Sequence, residues 1–176
     1  MRRRQGSSSS FAALVEADAI ATDGVVTLRR PRLGDSRLLV GGRDGDFHRW
    51  LGPGAQVPEP VACIWVGDEL VGWVDYDLDH AWLRAGEVNV GYYLFPNARG
   101  KGYASRAVEL LLLQLGRETE HAVATLLIDP ENLKSIALAG RLGFVETGEL
   151  RGQLSFARRI ELPWQTPCAY KVMDTA

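Results

Sequence analysis

Cysteine is scarce in this sequence. The two present, Cys63 and Cys168, have no Cys or His around them at metal-ligand spacing, so neither a disulfide scaffold nor a zinc site is expected. Both read as buried strand residues, because free cysteine is so often buried. An excess of charge is also missing. Twenty Lys and Arg against 22 Asp and Glu leave a formal charge of -2 at pH 7, which gives no electrostatic reason to expect nucleic acid as a partner. No run approaches the roughly 18 apolar residues that span a bilayer, so no membrane partner is expected. The opening MRRRQGSSSS passes from basic residues to serines, and FAALVEADAI carries Glu16 and Asp18; with no apolar leader core, the expected setting is cytoplasmic. There is no internal repeat.

What remains is ordinary for one globular domain, with 176 residues of which 46% are apolar, enough to bury a substantial core. Residues 1–22 are expected to be mobile or to form a short amphipathic helix, and residues 23–176 to form the domain. VVTLRR reads as a strand. LGDSRLLVGG reads as a short helix with its Asp placed to cap it and Gly41-Gly42 to stop it, and DFHRWL as a second helical piece. VACIWV and LVGWVDYDL read as strands joined by a Gly67-Asp68-Glu69 hairpin. EVNVGYYLF is a strand ended by Pro96, Tyr103 to Leu115 a deeply packed helix, VATLLID a strand, and ENLKSIALAGRLG a helix stopping at Gly143. FVETGELR and PCAYKVM read as the final strands. The fold class is mixed α/β (α+β) around one central sheet.

The chemistry is expected where EVNVGYYLF meets SRAVELLLLQL, through PNARGKGYA. A strand feeding a helix leaves backbone N–H groups unpaired and converging, and the helix dipole adds partial positive charge there. Such a corner suits phosphates. Gly100 and Gly102 let the backbone approach a ligand closely, and Arg99 and Lys101 add positive charge. A P-loop is excluded, since Phe95 stands where its first Gly belongs and Gly102 where its Ser or Thr belongs. A dinucleotide fingerprint is excluded by Ser105 in place of its third Gly.

Arg99-Gly100-Lys101-Gly102-Tyr103-Ala104 resembles the Arg/Gln-x-x-Gly-x-Gly/Ala signature of the GNAT superfamily, which transfers acetyl groups from acetyl-CoA to amines. Asn132-Leu133-Lys134-Ser135, followed by Gly143-Phe144 and then Gly148-Glu149-Leu150-Arg151-Gly152, resembles the branch of RimJ/RimL-like N-terminal acetyltransferases of ribosomal proteins. VVTLRRPRLGD is similar to that branch as well. The likeness runs from about residue 25 to 173.

The resemblance implies a GNAT fold and acetyl-CoA as co-substrate, with no metal. The CoA pyrophosphate would rest on Arg99, Gly100, Lys101 and Gly102 and on the N–H groups of Tyr103 and Ala104. The backbone of Leu94 and Phe95 would pair with the pantetheine arm where the sheet splays between EVNVGYYLF and VATLLID, and Asn132 and Ser135 would touch the cofactor. Glu87 is the first candidate base, directly or through a water held by Asn89, which shares its strand face; its alternative is a solvent-facing strand end. Ser135 or Tyr170 would return a proton to the thiolate, unless the one only lines its helix and the other only fills the core. Asp75, Asp77 and Asp79 alternate along DYDLDH, pointing one way to attract a cationic amine or to keep a sheet edge from pairing. Five tryptophans, Trp50, Trp65, Trp73, Trp82 and Trp164, supply core, with one or two near substrate.

The acceptor is an amine, first a protein or peptide N-terminus and second a small molecule such as an amino acid, polyamine or antibiotic. Deprotonating a lysine-like amine near neutrality costs about 4 kcal/mol against under about 1 for an α-amine, so an N-terminal acceptor asks less of a base. A non-catalytic acyl-CoA sensor and an unrelated nucleotide binder are the competing readings. A homodimer through the terminal segments is the oligomer to test.

Overall fold

The computed structural model describes residues 19–161. Its elements, in chain order, are β1 (Ala19–Thr22), β2 (Thr27–Arg29), α1 (Asp35–Gly41), α2 (Gly45–Leu51), β3 (Ala62–Val66), β4 (Glu69–Asp77), β5 (Glu87–Leu94), α3 (Tyr103–Glu118), β6 (Val123–Ile128), α4 (Leu133–Arg141), β7 (Val145–Leu150) and β8 (Gln153–Arg159). A short 3-10 turn, Pro96–Ala98, links β5 to the glycine loop.

The strands form one 8-stranded sheet in the order β1-β2-β3-β4-β5-β6-β8-β7. Neighbours are antiparallel except β5 and β6, whose connection through α3 is the long crossover a parallel pair needs. The β3–β4 hairpin turns on Gly67-Asp68, with Val66 opposite Glu69 and Gly67 at φ 59°. Gly72 in β4 is required for space, since a Cβ there would meet the Tyr93 carbonyl oxygen at 2.1 Å.

Two cores flank the sheet. Val88, Val90 and Leu94 of β5 pack with Ala107, Val108 and Leu111 of α3 and with Leu138 and Ala139 of α4. On the opposite face Tyr93 and Phe95 pack with Leu39 of α1, Phe47 of α2, Cys63 and Leu70. Buried Cys63 has its thiol pushed up to about 12 by desolvation and, second, by Asp35.

Several expectations change. Ala19–Thr22 is a strand paired with β2, where a helical tail was expected. Asp35 is the first helical residue, and its carboxylate accepts from the Arg32 N–H at 2.8 Å, so it closes the preceding turn and the N-cap is Gly34. The last described strand is Gln153–Arg159, inserted between β6 and β7. PCAYKVM, Cys168, Tyr170, Trp164 and the possible helix over residues 11–18 lie outside the described residues. No described helix is long and apolar enough to cross a membrane.

Candidate active site

The pairing of β5 with β6 is short. Glu87, Val88 and Asn89 sit opposite Val123, Ala124 and Thr125, and beyond them the two strands diverge, β5 running on to Leu94 and β6 to Ile128. The buried Thr125 hydroxyl donates to the Val88 carbonyl at 3.2 Å and fixes the closed end of the gap. From Gly91 to Leu94 the β6 side of β5 is open, about 13 Å of strand.

At the open end stands the glycine loop. Gly102 is the N-cap of α3 at φ 79° and ψ 2°, a conformation costing side-chain-bearing residues about 1–2 kcal/mol. Gly100 shares it at φ 76°. A Cβ at either would meet nothing within 4 Å, so the space over the loop is empty. The N–H groups of Gly102, Tyr103, Ala104 and Ser105 meet no acceptor among the described residues; the first helical bond of α3 is Arg106 N–H to the Gly102 carbonyl. Lys101 is exposed and makes no ion pair with a described residue. This is the donor set an anion requires.

Arg99 does not join it. Its Nε donates to the Leu94 carbonyl at 3.0 Å, Nη1 to Asp44 Oδ2 at 2.8 Å and Asp46 Oδ2 at 2.9 Å, and Nη2 to Asp44 Oδ1 and to the Tyr93 hydroxyl, both at 3.0 Å. All five guanidinium N–H donors are thereby used. Asp44, which also caps α2 by accepting from the Phe47 N–H, is held far below the usual carboxylate range, chiefly by its hydrogen bonds from Arg99. The Tyr93 hydroxyl, which donates to Asp44 Oδ1, is pushed up to about 12 by burial and by Asp44. The expected phosphate contact from this side chain is therefore replaced by a structural one: Arg99 ties the end of β5 to α2.

The two sides of the gap differ. On the α4 side, Asn132 caps the helix by accepting from the Ser135 N–H at 3.2 Å, so its oxygen is committed while its amide N–H groups remain available. Tyr92, whose hydroxyl is buried with no hydrogen bond of good geometry among the described residues, comes from β5 with Ser135 as its polar neighbour. Burial raises its pKa, and the Ser135 hydroxyl and Arg141 oppose that rise. Tyr92 was missed in the sequence because a tyrosine in an apolar strand reads as core. On the α1–α2 side, Trp73 lies opposite Tyr93, Asp75 opposite Gly91 and Asp77 opposite Asn89, so these side chains share a face. The Asn89 side-chain oxygen is buried there and has no partner among the described residues.

Glu87 lies below the closed end, level with Val123, and its Oε2 accepts from the Arg84 N–H at 2.9 Å. It is not on the walls of the gap. The expected row of three aspartates shortens to two, because β4 ends at Asp77 and the Asp79 N–H turns back to Asp77 Oδ1 at 2.8 Å. His80 Nε2 sits 3.1 Å from Asp77 Oδ2 and stacks on Trp82. Over the open end, Arg49 of α2 pairs with Glu131 at 2.6 Å and Asp46 approaches Lys134 at 3.9 Å, joining the two sides. A cavity of about 660 Å³ beside α1, lined by Leu38, Trp65, Leu70 and Phe95, has no wall from β6 or α4. No described cluster of His, Cys, Asp and Glu is placed to hold a metal ion.

Residues 26–145 match the family model described as an acetyltransferase (GNAT) domain. No curated protein sequence matches the chain. Among solved structures, RimL, a ribosomal L7/L12 α-N-protein acetyltransferase in complex with coenzyme A, superposes with a TM-score of 0.68 at 18% identity, covering 81% of this chain and 98% of its own. Mycobacterium smegmatis RimJ in complex with CoA-disulfide gives 0.63 at 21%, covering 82% and 85%. The microcin C7 self immunity acetyltransferase MccE, in complex with acetyl-CoA and AMP, gives 0.62 at 22%, covering 79% and 94%.

Proposed function

The chain belongs to the GNAT acetyltransferase domain family, and on that premise we propose that it transfers an acetyl group from acetyl-CoA to the α-amine of a protein or peptide N-terminus. The observation that carries the reading is the N–H row from Gly102 to Ser105, unpaired among the described residues, at the mouth of a gap that opens beyond Asn89. One end suits a pyrophosphate and the other has room for an extended arm. Lys101 adds charge to the loop, and the β6 side of β5 beyond Asn89 lies along the arm, although the Leu94 carbonyl already accepts from Arg99 Nε and the Phe95 N–H is turned to the Val71 carbonyl of β4. Likeness to RimL and RimJ favours the N-terminal amine, as does the low cost of deprotonating one.

The test is a panel of short unblocked peptides beside free amino acids, polyamines and an amine-bearing antibiotic, with acetylation located by mass spectrometry. Acetylated peptide N-termini are expected. Rapid turnover of a small amine with no peptide modified would replace this reading by a small-molecule one, to which the likeness to MccE points. Binding of acetyl-CoA with no turnover on any amine would leave a sensor.

In the same reading, the departing sulfur takes its proton on the α4 side, from Ser135 with Tyr92 beside it. Ser135→Ala is expected to lower kcat by about 10- to 100-fold with acetyl-CoA affinity within twofold of the unmodified chain. Tyr92→Phe removes a hydroxyl that has no hydrogen bond of good geometry among the described residues and has Ser135 as its polar neighbour, so stability should change little while kcat falls about tenfold. Full activity in both variants would assign that proton to water.

A further inference from the structure

Glu87 lies below the closed end of the gap, and Asp75 faces the strand just inside it. Asp75 is opposite Gly91, the first residue on its face of β5 after the last pair with β6. A Cβ at Gly91 would meet only the Trp73 ring, at 3.8 Å, so the place over Gly91 is open. Trp73 walls it and Asp75 stands at its side.

The two neighbouring aspartates are not equivalent. Both oxygens of Asp77 are occupied, by the Asp79 N–H and by His80. Asp75 Oδ1 accepts from the Val61 N–H at 3.2 Å and the Tyr76 N–H at 3.0 Å, which fixes the carboxylate, while Oδ2 has no partner among the described residues. A held carboxylate with one free oxygen beside an open place is built to take a proton.

Resting on the acetyltransferase reading, we infer that Asp75 is the general base of the reaction and that the acceptor amine lies over Gly91, between the Asp75 carboxylate and the gap. The amine nitrogen attacks the thioester carbonyl carbon and the C–N bond forms. Its proton passes to Asp75 Oδ2, directly or through one water. The C–S bond then breaks, and the sulfur takes a proton from the Ser135 side. Amide and thiol are the products, and solvent carries away the proton on Asp75 and restores the one given to sulfur. Burial, chiefly, and Asp77 raise the pKa of Asp75 above that of an exposed aspartate, against the two backbone N–H groups. That moves it toward the range in which a base works near neutral pH. Among the described residues, Asp77 is the charged group acting on it. β5 presents Gly91 and Asn89 to it, β3 side only the Val61 N–H, and α1 and α2 pack that face with Leu39 and Phe47.

The test compares the full chain with its Asp75→Asn variant in three measurements. Asparagine can still accept both backbone bonds, so calorimetric titration should give acetyl-CoA affinity within twofold. On the best peptide of the panel, kcat should fall about 100-fold or more. With an acceptor far less basic than an α-amine, such as methoxyamine, whose adduct loses its proton readily to water, the loss should shrink to within about tenfold, which a merely structural defect would not produce. Carbon-13 NMR of the aspartate carboxyls, assigned by the variant, should show Asp75 titrating above about 3.9. The inference is overturned if Asp75→Asn keeps kcat within threefold while Glu87→Gln loses it, if the loss is the same for weakly basic acceptors, or if the carboxyl titrates at or below the ordinary value. The NMR arm decides about Asp75 even where no amine is acetylated, an outcome that would count against the acetyltransferase reading separately.

Discussion

Gly102→Glu is expected to weaken acetyl-CoA binding by at least about 100-fold, roughly 2.7 kcal/mol, in a calorimetric titration that gives the unmodified chain a clear isotherm. Two effects add. The new carboxylate starts from the N-cap of α3 and reaches into the space over Gly102, Tyr103, Ala104 and Ser105, whose N–H groups have no other acceptor among the described residues, so it fills the place of the pyrophosphate. It also repels that group by like charge. The fold should survive. A Cβ at Gly102 meets nothing within 4 Å, and the cost of a side chain at φ 79°, about 1–2 kcal/mol, is partly offset by a carboxylate at a helix N-terminus. Gly102→Ala separates the two effects: it carries the strain without the charge or bulk and should lose no more than about tenfold. Equal affinity in the unmodified and Glu chains would move the cofactor elsewhere. A folded, unmodified chain that binds no acetyl-CoA would take the proposed function down with it.

The sequence makes that corner legible because its signals are local. Pro96 ends an apolar strand, two glycines take the turn, and a long run of helix formers follows, so chain order alone brings the unpaired N–H groups together. The hairpin at Gly67-Asp68 and the helix stop at Gly42 were legible for the same reason. β8 was not: its turn uses Arg151 at φ 52° before Gly152, where a hairpin signal expects Asn or Asp, and its two terminal arginines mask the alternation of Leu154 and Phe156. The gap between β5 and β6 followed from family resemblance, since no residue pattern in either strand marks where pairing stops. Alternation placed Asp75 and Asp77 on one face. It could not tell which has a free oxygen, because that depends on the Val61 N–H and on the turn through His80.

Arg99 shows how distance in the chain hides a role, and its removal should have the largest effect on stability. The charge beside two glycines read as a phosphate contact, yet its carboxylate partner Asp44 lies 55 residues away, where no spacing rule reaches. Arg99→Ala would strip Asp44 and Asp46 of their cation and leave the Leu94 carbonyl and the Tyr93 hydroxyl short of donors. For a fully buried pair such a loss costs about 3–5 kcal/mol. The Arg99 side chain is 25% exposed, and allowing for solvent gives about 2–3 kcal/mol, a fall in Tm of roughly 5–10 °C for a chain of this size. The pH dependence identifies the cause. Asp44 has a depressed pKa when folded, so its contribution is present above the unfolded value of about 3.9 and is lost as pH falls below it. Thermal melts of the two chains should therefore differ by a constant amount from about pH 8 down to about 5 and converge on further acidification. Lys101→Ala is the contrast. With no ion pair to a described residue to lose, it should leave Tm unchanged and weaken acetyl-CoA binding in a salt-dependent way. If Arg99→Ala instead kept its Tm and lost only affinity, the guanidinium would be a ligand contact, and the tie between β5 and α2 would rest on the α2 cap and the Phe47–Tyr93 packing alone.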